Sequence, residues 1–378
     1  MKIVYCIRDL SNSGGMERVL TNKVNYLTEK YGYEIFIITT DLGNKNLFYP
    51  LNKNIKVIDL DINYFKKSKN IFLKVIEQFL KKKKHKKKLK IELNKINPNI
   101  IISMGHEEKN FLPFLNIKCK KIREYHFAKN YKTALENTLN RNVFYKMYSY
   151  INNFLENYYT KYYDKVVILT KEDKNNWKNN NICVIPNSLT FYSKDNSAKL
   201  EDKKVISVGR LMPQKGFDIL IDVWNIISKK YPDWILEIYG EGAKREELQN
   251  KINKLGLEKS FLLKGAVKNI QDKYLESSIY VMSSRFEGFG MVLVEAMACG
   301  LPVVSFDCPC GPKDIIKNNE DGFLVPFGNV EQMAKKIEEL ITNEEKRKFF
   351  GKNARKNVER FSQDKIMEKW KNLFEMEI

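Results

Sequence analysis

The chain runs twice through the same alternation of short apolar runs and helix-patterned segments, and one polar, aperiodic stretch separates the two rounds. In the first round "KIVYCI" (2–7), "EIFIITT" (34–40), "IKVIDL" (55–60), "IIISM" (100–104), "KIREY" (121–125) and "KVVILT" (165–170) read as strands. A helix from Gly14 to about Lys30 puts Val19, Leu20, Val24 and Leu27 on one face and stops at Tyr31-Gly32, a helix-ending glycine. A lysine-rich helix follows at about 70–96, and residues 131–163 are helical in pattern and rich in aromatic rings. The second round holds "KVISVG" (204–209), "ILEIYG" (235–240), "FLLKG" (261–265), "IYVMSS" (279–284), "PVVSFD" (302–307) and "FLVPF" (323–327), with helical patterns between and after them. Strands alternating with helices build parallel sheets covered on both faces. The pattern therefore predicts an α/β chain of two nucleotide-binding-type domains, residues 1–190 and 191–361, with 187–203 as linker. The last helix, about 362–378, is placed to pack back on the first domain. Open sheets of this kind bind ligands outside the carboxyl ends of their strands, so the site is expected in the cleft between the halves.

At 378 residues the chain is long enough for two cores. No run approaches the ~18–20 uninterrupted apolar residues of a membrane span. Six scattered cysteines form no CxxC pair and no zinc spacing, which fits a reducing cytosol. The formal charge of +20 is lopsided: residues 1–190 carry 35 Lys and Arg against 17 Asp and Glu, and residues 191–378 carry 31 against 29. The densest basic run is "KKKKHKKKLK", Lys81 to Lys90. It reads as a solvated helix face or as a surface for a polyanionic partner.

Three motifs carry chemistry. In "SNSGGMER" (11–18) two glycines follow a strand and open a helix, whose first amides suit a phosphate. The pattern is not GxGxxG, so no dinucleotide is indicated. In "VGRLMPQKG" (208–216) Arg210 stands at a strand end and Lys215 five residues on, two cations able to hold a diphosphate. In "SSRFEGFGMVLVEAMACGLPVVSFD" (283–307) a glycine-flanked loop carries Glu287 and the helix after it carries Glu295. A carboxylate at the second position accepts hydrogen bonds from vicinal hydroxyls such as those of a ribose; one on the loop faces hexose hydroxyls.

Glu287 and Glu295 match the E-x7-E pattern of retaining glycosyltransferases of family 4, and the chain resembles that family from residue 2 to about 327. "GGMER" is similar to its N-terminal glycine loop, "VGRLMPQKG" to its diphosphate-binding arginine and lysine, and "EGFGMVLVEAMACGLPVV" to its nucleotide-sugar signature. "DCPCGPKDII" and "DGFLVP" resemble sequences of members that build bacterial surface polysaccharide. The resemblance implies a GT-B fold of two Rossmann-like domains. It implies a hexosyltransferase moving a hexose or N-acetylhexosamine from a nucleotide sugar, expected to be a UDP-sugar, to a glycan acceptor, expected to be lipid-linked.

Roles follow residue by residue. Arg210 and Lys215 would neutralise the leaving diphosphate. Gly15, beside Gly14, would approach it from the first domain, and the amides around Phe289, Gly290 and Met291 from the second. Glu295 would bind the ribose and Glu287 the hexose. Gly288, Val267 and Val292 complete the nucleotide-sugar set. "REYHFA" matches the place where the family carries an active-site histidine, which makes His126 the fourth catalytic candidate beside Arg210, Lys215 and Glu287. His106 follows another strand end and its part in catalysis stays open; His85, inside the lysine run, is expected in solvent. No metal or other cofactor is expected, since two cations and two helix starts suffice. The D-x-D of Asp59 to Asp61 reads as charge at a strand end.

The lysine run joins an apolar set between Ile71 and Leu93, and nine aromatic residues lie between Phe144 and Tyr163. Together they point to an anionic membrane surface, hence a peripheral protein on the inner face of the cell membrane. A UDP-sugar epimerase of the same fold is the alternative. A nucleic-acid binder is disfavoured, because the lysines lack interleaved aromatics and base-reading arginines.

Overall fold

The computed structural model describes residues 1–64, 71–131, 134, 143–192 and 196–377. The side chains of 71–75, 144, 145 and 148, which belong to the apolar and aromatic sets above, lie outside the described residues, as does much of the helical pattern over 131–142. Two parallel sheets form. The first has the order β3-β2-β1-β4-β5-β6-β7, from β1 (Lys2–Cys6), β2 (Glu34–Thr39), β3 (Lys56–Asp59), β4 (Ile100–Ser103), β5 (Lys120–Glu124), β6 (Lys165–Ile168) and β7 (Ile182–Val184). The second has the order β10-β9-β8-β11-β12-β13, from β8 (Lys204–Val208), β9 (Ile235–Tyr239), β10 (Phe261–Gly265), β11 (Ile279–Met282), β12 (Val303–Asp307) and β13 (Gly322–Pro326). This is the GT-B arrangement that the motifs imply.

The strands form because their residues are branched and apolar with both faces covered, as in "IIIS" of β4, where every residue is buried. In each sheet the order reverses once, between β1 and β4 and between β8 and β11. A crevice opens at such a reversal, past the carboxyl ends of the strands. The loops after β1, β4, β8 and β11 carry the glycine pair, His106, Arg210 and Glu287. The topology alone therefore gathers those motifs at two crevices.

The first helix, Gly15–Tyr31, ends at Gly32, whose φ of 65° frees its amide to cap the carbonyl of Thr28 at 3.1 Å. The last helix, Gln363–Glu377, lies against this helix in the first domain: Trp370 covers Lys23, and Gln363 Nε2 donates to the carbonyl of Asn22 at 3.1 Å. One buried apolar cluster runs from Ile3 and Leu20 through Leu189 and Leu200 to Leu293 and Trp370, so both domains and the crossings between them share packing. Part of the expected linker is thereby tied to the second domain: the amide of Ala198 donates to the carbonyl of Cys299 at 2.8 Å.

Two sequence expectations change. His85 is 1% exposed rather than solvated, its Nδ1 lying 3.2 Å from the hydroxyl of Tyr64 and its ring edge-on to Phe111. The helix Ile71–Ile96 turns that position inward, on the face of Leu89 and Leu93, four and eight residues on. The lysine run is not one solvated face either. The amines of Lys81, Lys84 and Lys88 donate to the carbonyls of Asn63, Asp61 and Leu60 at 2.7, 2.9 and 2.6 Å, and so fasten the loop after β3. Asp59 is likewise engaged, accepting from Thr39 Oγ1 at 2.8 Å and from the amide of Gly43 at 3.0 Å.

Candidate active site

A cavity of about 480 Å³ lies between the domains. The first domain contributes Gly15 and Arg18; the second contributes Arg210, Val267, Met291, Val292 and Glu295; the crossing segment contributes Thr190. Gly14 is the N-cap of the first helix and has no side chain to cap it, but the Glu17 carboxylate of the first turn folds over Gly14 and accepts from its own amide, so a phosphate at this helix start must displace that side chain. Gly290 caps the helix Met291–Ala298 with φ 98°, a conformation suited to glycine, and this starts that helix beside the same cavity. Phe289 turns its ring into the core against Phe361, at 5.4 Å between centroids, packs its carbonyl against Gly311 and lines neither this cavity nor the second one described below.

Glu295 is 4% exposed and accepts from Thr190 Oγ1 at 2.7 Å and from Arg18 Nη1 at 3.3 Å. Burial raises its pKa, and the Arg18 charge opposes the rise. A buried carboxylate with few partners is a strong acceptor for a sugar hydroxyl.

Lys215 and Glu287 meet directly, Nζ to Oε1 at 2.6 Å, and Ser284 Oγ donates to the same oxygen at 2.6 Å. The lysine stem lies across Gly209, where a Cβ would stand 3.1 Å from its Cδ and Cε. This pair stands apart from the lining of the first cavity. Gly288, the next residue, packs on the first domain: a Cβ there would fall 2.5 Å from the carbonyl oxygen of His126.

His126 itself lines a second cavity, of about 510 Å³, together with His106, Arg8, Lys82, Arg123 and Glu124. Its Nε2 lies 3.4 Å from Glu124 Oε1. Glu124 in turn takes Lys23 Nζ at 2.5 and 2.6 Å in a pair that is almost wholly buried. Burial pushes the His126 pKa down to about 4, with Lys23 and Arg123 adding to the fall and Glu124 opposing it. His106 falls to about 3, again chiefly by burial. Both rings are neutral at physiological pH, and so act as hydrogen-bonding groups.

The structure thus brings Gly15, Arg210, Val267, Met291, Val292 and Glu295 to one cavity, and places His126 in another. The Lys215–Glu287 pair and Gly288 lie on the loops between. Sequence reasoning missed Arg18, Thr190, Lys23, Glu124 and Arg123. A signal existed for three of them: Lys23 interrupts the apolar face of the first helix, and Arg123 and Glu124 are charges inside a buried strand. Among the described residues no group of three or more His, Cys, Asp or Glu is placed to hold a metal ion.

Residues 190–357 match the family described as "Glycosyl transferases group 1". An uncharacterized glycosyltransferase of Haemophilus influenzae is 34% identical over 379 residues, covering 98% of this chain and 99% of the relative. An alpha-1,4-N-acetyl-D-galactosaminyltransferase of Campylobacter jejuni, named for an acceptor glycan on PP-undecaprenol, is 28% identical over 99% of this chain and 98% of its own length. Among solved structures, a mutant of Staphylococcus aureus TarM in complex with Fondaparinux, alpha-GlcNAc-glycerol and UDP superposes with a TM-score of 0.75 at 21% identity over 99% of both chains. The two parallel domains, the crevice motifs and a full-length relative at 34% identity agree: the chain belongs to the group 1 glycosyltransferases.

Proposed function

We propose that the protein is a retaining, metal-independent hexosyltransferase of family 4 that moves a hexose or N-acetylhexosamine from a UDP-sugar to a lipid-linked glycan at the inner face of the membrane. One observation carries the donor half: a single cavity brings together Gly15 at a helix start, the cation Arg210 and the buried carboxylate Glu295, complementary to diphosphate and ribose. A fold relative was solved with UDP, and a sequence relative is named for a PP-undecaprenol acceptor, which supports the same reading.

In this mechanism the acceptor hydroxyl oxygen bonds to the anomeric carbon on the face from which the diphosphate leaves. The bond from that carbon to the diphosphate oxygen breaks, and the hydroxyl proton passes to a phosphate oxygen. Arg210, Lys215 and the two helix starts hold the growing negative charge in fixed geometry, which lowers the barrier without a covalent intermediate. Neutral His126 positions the sugar by hydrogen bonding.

Membrane association has its own support. The helix Val143–Thr160 exposes apolar rings, with Tyr150 at 74% and Phe154 at 64%, and the lysine-rich helix lies in the same domain. No described helix is long and apolar enough to cross a membrane. Neither the epimerase nor the nucleic-acid reading gains an observation from the structure.

Thermal shift against UDP, GDP and ADP and their sugars tests the donor assignment. UDP should raise the melting temperature in proportion to concentration over affinity. The shift should vanish in Glu295→Ala, and turnover should survive EDTA. A shift with no nucleotide, or turnover lost in EDTA and restored by Mg²⁺, would overturn the corresponding part.

A further inference from the structure

The second cavity is built for more than sugar hydroxyls. Four cations line it: Arg8, Lys82, Lys109 and Arg123. Of the acids on the same wall, Glu107 takes Arg8, and Glu156 takes both Lys109 and Arg123 at 2.9 Å. Glu124 is matched from behind by the buried amine of Lys23, which lies outside the lining. Among the described lining residues, two acids therefore face four cations, a positive excess.

A second observation is independent of charge counting. Gln78 Nε2 and Arg123 Nε are buried nitrogens without a hydrogen-bond partner among the described residues, and both residues line this cavity; His126 Nε2, also without a hydrogen bond, has the Glu124 carboxylate 3.4 Å away. Buried polar atoms are normally satisfied, so the unsatisfied donors Gln78 Nε2 and Arg123 Nε at one cavity mark a place where a ligand supplies acceptor oxygens. Arg123 is 3% exposed, which makes its guanidinium a fixed part of the site rather than a surface charge. Burial chiefly lowers the His106 pKa, and the charges of Arg8, Lys109 and Arg123 add to the fall.

We infer that this cavity binds a phosphate group of the acceptor, with Lys82, Arg8 and Arg123 on the phosphate oxygens and the transferred sugar's new neighbour held toward His126. The inference rests on the proposed transferase reading and adds the acceptor's chemical class to it. Because the phosphate and the attacking hydroxyl share one cavity, only a short spacer separates them. Two sources meet that demand: the headgroup of a prenyl diphosphate-linked sugar, and a phosphodiester polymer.

The test is isothermal titration of the full chain with its donor site saturated by UDP, which keeps probes out of the first cavity. The probes are farnesyl diphosphate, a synthetic oligo(glycerol phosphate) and a neutral N-acetylglucosamine oligosaccharide. At least one phosphate probe should bind, more weakly as salt rises. Lys82→Gln, a change on the helix surface, should weaken it about tenfold, as for loss of one charge-assisted hydrogen bond, and leave UDP affinity unchanged. Binding of farnesyl diphosphate alone assigns the lipid source, and binding of oligo(glycerol phosphate) alone assigns the polymer. No phosphate binding while UDP binds, or equal affinity for the neutral oligosaccharide, overturns the inference and leaves the donor assignment intact. Failure of UDP itself to bind would count against the transferase reading instead.

Discussion

Lys215 Nζ stands 2.6 Å from Glu287 Oε1, so the cation assigned to the departing diphosphate and the carboxylate assigned to the hexose neutralise each other before any donor arrives. Their side chains are only 15% and 7% exposed. Lys215→Ala removes a charge required in the transition state and strands Glu287. Turnover should fall at least ~10²-fold, and Arg210→Ala should lose a comparable factor. Steady-state kinetics with UDP-sugar and acceptor checks both; wild-type turnover in the pair of variants would refute the diphosphate assignment.

Gly288→Ala should separate catalysis from folding. The added methyl would meet the His126 carbonyl, which is backbone and cannot swing aside. The domains must then part slightly, and turnover should drop by ~10-fold or more, since a misplacement of about an ångström is costly in a preorganised site. The melting temperature should move by only a few degrees. A variant that turns over normally would show that this contact is not part of the working form.

Lys23→Met leaves Glu124 buried without its cation. Such a break costs about 3–5 kcal/mol, whereas replacing both partners by apolar residues is far milder. Urea unfolding should show the single variant much less stable than Lys23→Met/Glu124→Leu. Equal losses would mean that the pair does not couple.

The three buried histidines should cost stability on acidification. His85 and His126 sit at about 4 and His106 at about 3 in the folded state, against 6.5 unfolded, because burial disfavours the charged ring. Between those limits the unfolded chain binds protons that the folded chain does not, so stability falls as pH drops from 6.5 towards 4. Asp321 works the other way: burial raises it to about 6, so it favours folding at acid pH and loses that contribution as pH rises through 6. Glu17, Glu108, Glu172 and Glu295, all raised by burial, act in the same sense as Asp321, so the two contributions are separated by single variants. Urea midpoints should show a flatter profile for His85→Gln and a steeper one for Asp321→Asn.

Membrane binding should depend on the lysines that are not fastening the loop after β3. Lys83, Lys86, Lys87 and Lys90 are exposed. Changing these four to glutamine should weaken co-sedimentation with anionic vesicles and spare stability, each contributing about 1 kcal/mol near such a surface. Changing Lys81, Lys84 and Lys88 should lower stability instead. Equal binding of the wild type to neutral and anionic vesicles would refute the electrostatic role.

What the sequence makes readable is what is written locally. The strands announce themselves as branched apolar runs, and the three motif loops sit at strand ends, where a ligand must meet backbone. Pairings across long separations are not written locally. Lys23 and Glu124 are 101 residues apart, and only the parallel order of β1, β4 and β5 makes them neighbours. His85 misleads because its flanks are lysines, yet its spacing to Leu89 and Leu93 already places it on the inner face. β7 escapes notice because it is only three residues long and paired on one side.

The chain passes between the domains twice, near Leu189 and near Phe361, and the two passages are joined by a hydrogen bond of 2.8 Å from the amide of Leu189 to the carbonyl of Phe361. Two joined passages act as the spine of a book. The covers can swing about that line but are hindered from sliding or twisting past each other. Opening is then one rotation, and it widens the gap beside Glu295 and lifts Gly288 off the carbonyl of His126 together. Spent nucleotide and extended glycan would leave during the same swing, so a substitution that stiffens the spine should slow both departures by one common factor.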